Sequence, residues 1–129
     1  MKKTKARSLI TEISNILDLD INALLGKRAL KKWPLNVSQN FNDIISTKIF
    51  SKENLVRLRI EMPPNKSLDL RWHDCLEKCT VVSGVLADQE QPLKKWKKGQ
   101  VCIIEKMQKH KLYNPSSTEV LHLIVDFYF

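Results

Sequence analysis

No stretch of this sequence approaches the run of about eighteen uncharged apolar residues that a membrane-crossing helix needs, so no transmembrane span is expected. Cysteine is scarce. The three residues, Cys75, Cys79 and Cys102, are odd in number and lack a framework spacing, which argues against a disulfide scaffold. Cys75 and Cys79 do not show the two-residue gap of a zinc knuckle or a thioredoxin-type motif. Cys79 and Cys102 sit in the apolar contexts CTVV and VCII, where a free thiol serves as a small buried hydrophobe, whereas Cys75 falls in a turn. The N-terminus, MKKTKARSLITEIS, begins basic as a secretory signal would, but Glu12, Ser14 and Asn15 interrupt its apolar part. The expected compartment is therefore the cytoplasm. The sequence has no internal repeat and no low-complexity tract.

What is present is an ordinary globular composition. The 129 residues suit one domain, and a hydrophobic share of 43% with 28% charged residues is typical of a chain that folds around a core. A domain of this size buries roughly two-thirds of the surface exposed when unfolded, so it needs no staple. The net charge of +8 comes from lysines and arginines clustered at 2–7, 27–32, 94–98 and 106–111. Such clusters can bind phosphates, but no recognised nucleic-acid module accompanies them. KKWKKG and KKWP read as loop segments with solvated charge, and nucleic acid is not an expected partner.

Residues 8–18, SLITEISNILD, place Leu9, Ile10, Ile13, Ile16 and Leu17 at helical spacing behind Ser8 as an N-cap. INALLGKRALKKWP holds a further turn of helix that Pro34 ends. Beyond Pro34 the chain reads as short strands between turns. VSQNF and DIISTKIF come first, then NLVRLRIEM, in which Val56, Leu58, Ile60 and Met62 alternate with Arg57, Arg59 and Glu61. PPNKS is a turn, LDLRWH a strand, and KCTVVSGVLAD another strand with a bend at Ser83-Gly84. QVCII, the region of HKLY, and EVLHLIVDFYF complete the set. Many short strands with turn signals between them predict an all-β sandwich or barrel. The expected division is a helical extension over 1–34 and a β-barrel domain over 35–129. Trp33, Trp72 and Trp96 are expected to pack.

The stretch RWHDCLEKCTVVSG carries the chemistry. On a strand, Arg71 and His73 face one side and Trp72 the other, and Glu77, just after the connection DCL, can return its carboxylate towards His73. His110 lies near the start of a later strand. Two histidines and a carboxylate facing one cavity suit a divalent transition metal with open positions, namely iron, manganese, nickel or zinc. The bland alternative is a polar pair satisfying itself at a barrel mouth, with His110 a surface residue of KMQKHK.

These residues resemble the two motifs of the cupin superfamily, the small RmlC-like jelly rolls. The first motif reads Gly, five residues, His-x-His, three or four residues, Glu, six residues, Gly. It lies on Asn65, Arg71, His73, Glu77 and Gly84. The second reads Gly, five residues, Pro-x-Gly, two residues, His, three residues, Asn, and lies on Gly99, Glu105, Met107, His110 and Asn114. Neither needs a gap, and the resemblance covers about residues 52–129. It implies an all-β, RmlC-like cupin jelly roll, a double-stranded β-helix barrel with a short N-terminal helical extension, and a homodimer. It also implies metal ligation by His73, Glu77 and His110.

Four of the ten motif positions depart: Asn65, Arg71, Glu105 and Met107. The first histidine is Arg71, which cannot ligate. It either pairs with Glu77, leaving the barrel without a metal, or anchors the anionic group of a substrate. The Pro-x-Gly turn is replaced by Glu105 and Met107. Three functions follow as expectations. The barrel binds a small anionic metabolite, with a divalent metal on three ligands and Arg71 holding the anion. Alternatively it is a metal-free isomerase or epimerase of nucleotide-linked sugars, or a non-catalytic ligand-binding or sensory module. Whether the chain is an enzyme, and which residues would be catalytic, stay open on the sequence.

Overall fold

Strand β3 (Leu55–Met62) shows why this chain builds sheets: its burial alternates, with Val56, Leu58, Ile60 and Met62 inside. The computed structural model describes residues 27–68 and 72–129. The helix expected over 8–18 and Arg71 lie outside the described residues, as does most of the proposed 1–34 extension. The other strands are β1 (Ser38–Phe41), β2 (Ile44–Lys52), β4 (Leu76–Ser83), β5 (Val85–Asp88), β6 (Lys95–Lys97), β7 (Val101–Ile104), β8 (Leu112–Tyr113) and β9 (Leu121–Tyr128). They form a six-stranded sheet in the order β1-β2-β3-β9-β4-β7 and a three-stranded sheet in the order β6-β5-β8. All named pairings are antiparallel. One core takes Val56, Leu58, Val81, Leu123 and Val125 from the large sheet and Leu86 and Leu112 from the small one. The result is a jelly roll, as expected.

Local chemistry sets the connections. Asn42 (φ 55°) and Asp43 (φ 70°) form the two-residue turn between β1 and β2, where paired positive φ values match the twist of a hairpin. The expected single strand KCTVVSGVLAD is two strands. Gly84, at φ 93°, ends β4 and sends β5 into the other sheet. A Cβ there would stand 3.1 Å from both Leu121 Cα and Val120 O, so the crossing needs glycine for space as well as for dihedral angle.

Two other expectations are corrected. KKWKKG is not simply a loop: Lys95–Lys97 is the edge strand β6, pairing Trp96 with Leu86. Its brevity and exposed lysines discourage pairing with another edge. Within LDLRWH, Trp72 and His73 are irregular rather than strand, because the His73 carbonyl accepts the Met107 N–H (2.8 Å) from a turn. Ser67 makes a single bridge to Tyr113.

Helix α1 (Lys27–Lys32) ends before Pro34, as expected, and drives Leu30 and then Trp33 into the core. Its C-terminal carbonyls are met by a buried cation. Lys48 Nζ donates to Leu30 O (2.8 Å), Lys31 O (3.2 Å) and Trp33 O (2.6 Å). A register shift between Lys48 and Phe50 marks a bulge in β2 directly after it.

Candidate metal centre

Three segments converge inside the barrel. His73 precedes β4, Glu77 is the second residue of β4, and His110 lies two residues ahead of β8 in the other sheet. All three are buried. Glu77 takes an inward position because β4 alternates, and it faces Phe127 of β9 and Ile104 of β7 in register. His73 Nε2 donates to Glu77 Oε1 at 2.6 Å, and His110 Nε2 stands 3.6 Å from the same oxygen. One ligating atom from each residue lies within 4.8 Å of the other two. The rings of His73 and His110 meet edge to face, with centroids 4.9 Å apart, and His73 meets Phe127 similarly at 5.7 Å.

Two of the three side chains are oriented from behind. The Gln108 carbonyl accepts from His110 Nδ1 (3.1 Å), which places that proton on Nδ1 and turns Nε2 towards Glu77. The Cys79 thiol donates to Glu77 Oε2 (3.1 Å). Burial pushes the Glu77 carboxyl up, but the His73 hydrogen bond, the charges of His110 and His73, and the thiol together hold it below the usual carboxylate range. Glu77 is thus an acceptor. His73 Nδ1, by contrast, is buried and has no hydrogen-bond partner among the described residues.

Two imidazoles and a carboxylate are a donor set for a divalent transition metal. Ligand atoms sharing an ion at about 2.1 Å lie about 3–4 Å apart, so the 2.6 Å His73–Glu77 contact would widen, the 3.6 Å His110–Glu77 separation already suits, and no ligand pair starts more than 4.8 Å apart. The residues therefore fit the group.

The three ligand positions expected from the sequence are brought together, and Asn114 of the second motif is a structural residue. It is buried, and its amide donates to Met62 O (3.0 Å) and Glu119 O (2.7 Å), tying the end of β3 to the approach to β9. The turn thought lost with Pro-x-Gly is retained. Gln108 N donates to Glu105 O (3.0 Å), and Met107 holds φ 63° where the motif has glycine. Asn65, at the motif's first glycine, likewise has φ 62°. Trp33 packs as expected, whereas Trp72 is 37% exposed beneath the Lys109 ammonium, 5.8 Å from its ring centre. The apolar CTVV context marks Cys79 only as a buried hydrophobe. Its signal was the period of two, which puts it on the same face as Glu77.

No family model matches the sequence, and no curated protein matches it either. Solved structures do. A protein of unknown function with a cupin-like fold from Ralstonia eutropha aligns at TM-score 0.60 and 19% identity, over 67% of this chain and 55% of that one. The chain therefore spans only about half the length of that neighbour. An RmlC-like cupin from Shewanella frigidimarina aligns at TM-score 0.63 and 14% identity, over 72% of this chain and 83% of that one. A predicted oxalate decarboxylase from Thermotoga maritima aligns at TM-score 0.57 and 21% identity, over 74% and 87%. Topology, motif positions and these likenesses agree: the chain has the cupin fold, an RmlC-like double-stranded β-helix.

Proposed function

We propose that the barrel binds a small anionic metabolite at a divalent transition metal held by His73, Glu77 and His110. The observation that carries this reading is the convergence of three buried ligating atoms within 4.8 Å, from the approach to β4, β4 itself and the segment leading into β8. The structural neighbour described as a predicted oxalate decarboxylase supports a small carboxylate as the ligand class. A bound ion would supply Lewis-acid polarisation or dioxygen activation. The chain's own residues do the rest. Gln108 and Cys79 orient His110 and Glu77, Phe127 and Ile104 flank Glu77 with apolar surface, and Arg71, two residues ahead of His73, would anchor the anion.

The test is elemental analysis of protein purified without a chelator or a histidine tag, beside a Glu77→Ala control. A near-stoichiometric transition metal that the control lacks supports the reading. Two metal-free samples, even after loading with iron, manganese, nickel and zinc, refute it.

A second reading is favoured by the unpartnered His73 Nδ1. With Nε2 engaged by Glu77, that nitrogen is placed as a general base, and the barrel would run metal-free proton transfer on a sugar nucleotide. Turnover that survives a chelator and is lost in His73→Gln supports it. Pairing of two copies is proposed on the outer face of the large sheet, where Val82 and the edge-strand residues Val101 and Ile103 are exposed. Sedimentation showing only monomer at all concentrations would refute that pairing.

A further inference from the structure

The two oxygens of Glu77 are treated differently. Oε1 faces His73 and His110 at 2.6 and 3.6 Å, whereas Oε2 accepts a hydrogen bond from Cys79 Sγ at 3.1 Å. Cys79 is wholly buried and sits between Cys102 of β7 and Val125 of β9 in register. Its other flanks are apolar or thiol, so the hydrogen bond to Glu77 is its polar role among the described residues.

We propose that Cys79 is a positioning residue of the metal centre: its S–H bond occupies Oε2 and holds Glu77 to single-oxygen ligation through Oε1. The inference rests on the metal reading above. A carboxylate can bind an ion through one oxygen or both, and its free oxygen swings unless something holds it. A donor two residues along the same strand holds that oxygen without a loop or a water, because the strand period brings both side chains to one face. Partners of this kind set ligand orientation, and their removal typically lowers metal affinity about 10–100-fold.

A purely packing role makes the opposite demands on the site. Packing tolerates valine and is hurt by serine, whereas positioning tolerates serine and is hurt by valine. The experiment titrates cobalt(II) into wild type and into Cys79→Ala, Cys79→Val, Cys79→Ser and Cys102→Ala. It reads affinity by competition with a chromophoric chelator, together with the visible spectrum of the bound ion. Melting temperatures of the metal-free forms are taken in parallel.

The expected result is a loss of about 10–100-fold in affinity for the alanine and valine variants at position 79, with a changed cobalt spectrum. Cys79→Ser should restore both, and Cys102→Ala should keep the wild-type affinity and spectrum. Wild-type affinity in Cys79→Ala and Cys79→Val, or a loss in Cys79→Ser equal to that in alanine, overturns the proposal. Because four variants are compared, misfolding of one leaves the test decisive. If wild type takes up no ion, the metal reading itself fails. If wild type binds and the variants bind equally, only the role of Cys79 falls.

Discussion

Replacing Lys48 with methionine tests how the helix is fastened to the barrel. The substitution keeps most of the aliphatic stem and removes only the ammonium. Exchanging a buried charge for an apolar group is often neutral when its partners go too. Here the partners stay, because they are main-chain carbonyls. Leu30 O and Trp33 O have buried bonds to Nζ at 2.8 and 2.6 Å, and the end of a helix offers them no substitute donor. Charge-assisted hydrogen bonds contribute about 1.5–3 kcal/mol each, and relief of the buried ammonium offsets part of that. A net loss of about 2–3 kcal/mol is expected. With an unfolding entropy of about 2.1 cal/mol/K per residue over 129 residues, that lowers the melting temperature by about 7–11 °C.

The pH dependence adds a sign. Burial, and after it the charge of Lys31, pushes the Lys48 ammonium below its ordinary 10.5. Between the folded pKa and 10.5 the unfolded chain binds more protons at this position, so the Lys48 contribution to stability rises with pH in that window. Differential scanning calorimetry of wild type and Lys48→Met should therefore show a flat difference below the folded pKa. The difference should widen in favour of wild type as pH approaches 10.5. An unchanged or higher melting temperature in Lys48→Met near neutral pH would refute the reasoning.

Four further outcomes are expected. Gly84→Ala should destabilise by several kcal/mol in chemical denaturation, since φ 93° and the 3.1 Å approach to Leu121 Cα and Val120 O both oppose a side chain. Met107→Gly should raise stability by about 0.5 kcal/mol, because its φ of 63° costs methionine more than glycine and the side chain is 54% exposed. Asn114→Ala should cost about 2–4 kcal/mol by stranding the Met62 and Glu119 carbonyls, and a melting curve matching wild type would contradict that role. Native protein at pH 8 should resist alkylation at all three thiols and react at all three in guanidinium. Burial first, then neighbouring acids, pushes Cys75 and Cys102 up to about 12 and Cys79 well above its ordinary value. The same shifts mean that the thiols' contribution to stability, fully present below pH 9, is lost as pH rises through the range from 9 to about 12.

The parts of the fold governed by side-chain period were legible in the sequence. β3 and β9 alternate cleanly, and their inward residues pair across the sheet as Val56 with Phe127, Leu58 with Val125 and Ile60 with Leu123. The spacing of His73, Glu77 and His110 anticipated a buried cluster because the motif encodes register. What escaped were features that depend on dihedral angle or on distant partners. Ser83-Gly84 announced a bend in KCTVVSGVLAD, but composition could not reveal that the chain crosses there into the other sheet. The Glu105–Gln108 turn survives without its proline and glycine because Met107 accepts a left-handed backbone, held by a hydrogen bond to His73 that no local pattern announces. Lys48 looks in sequence like any surface lysine of STKIF, and only the arrival of the helix end makes its burial favourable.

The site's position has a consequence for finding its ligand. His73 and Glu77 belong to the approach to β4 and to β4 itself, in the large sheet, while His110 leads into β8 of the small one. A molecule held by all three residues acts as a clasp across the seam, and it binds nothing comparable in the unfolded chain. By mass action, a ligand at a hundred times its dissociation constant adds about 2.7 kcal/mol to folding. For a chain of 129 residues that is about 10 °C of melting temperature. Heat resistance thus becomes a readout of occupancy, and libraries of metals, carboxylates and sugar nucleotides can be ranked by it before any reaction is known.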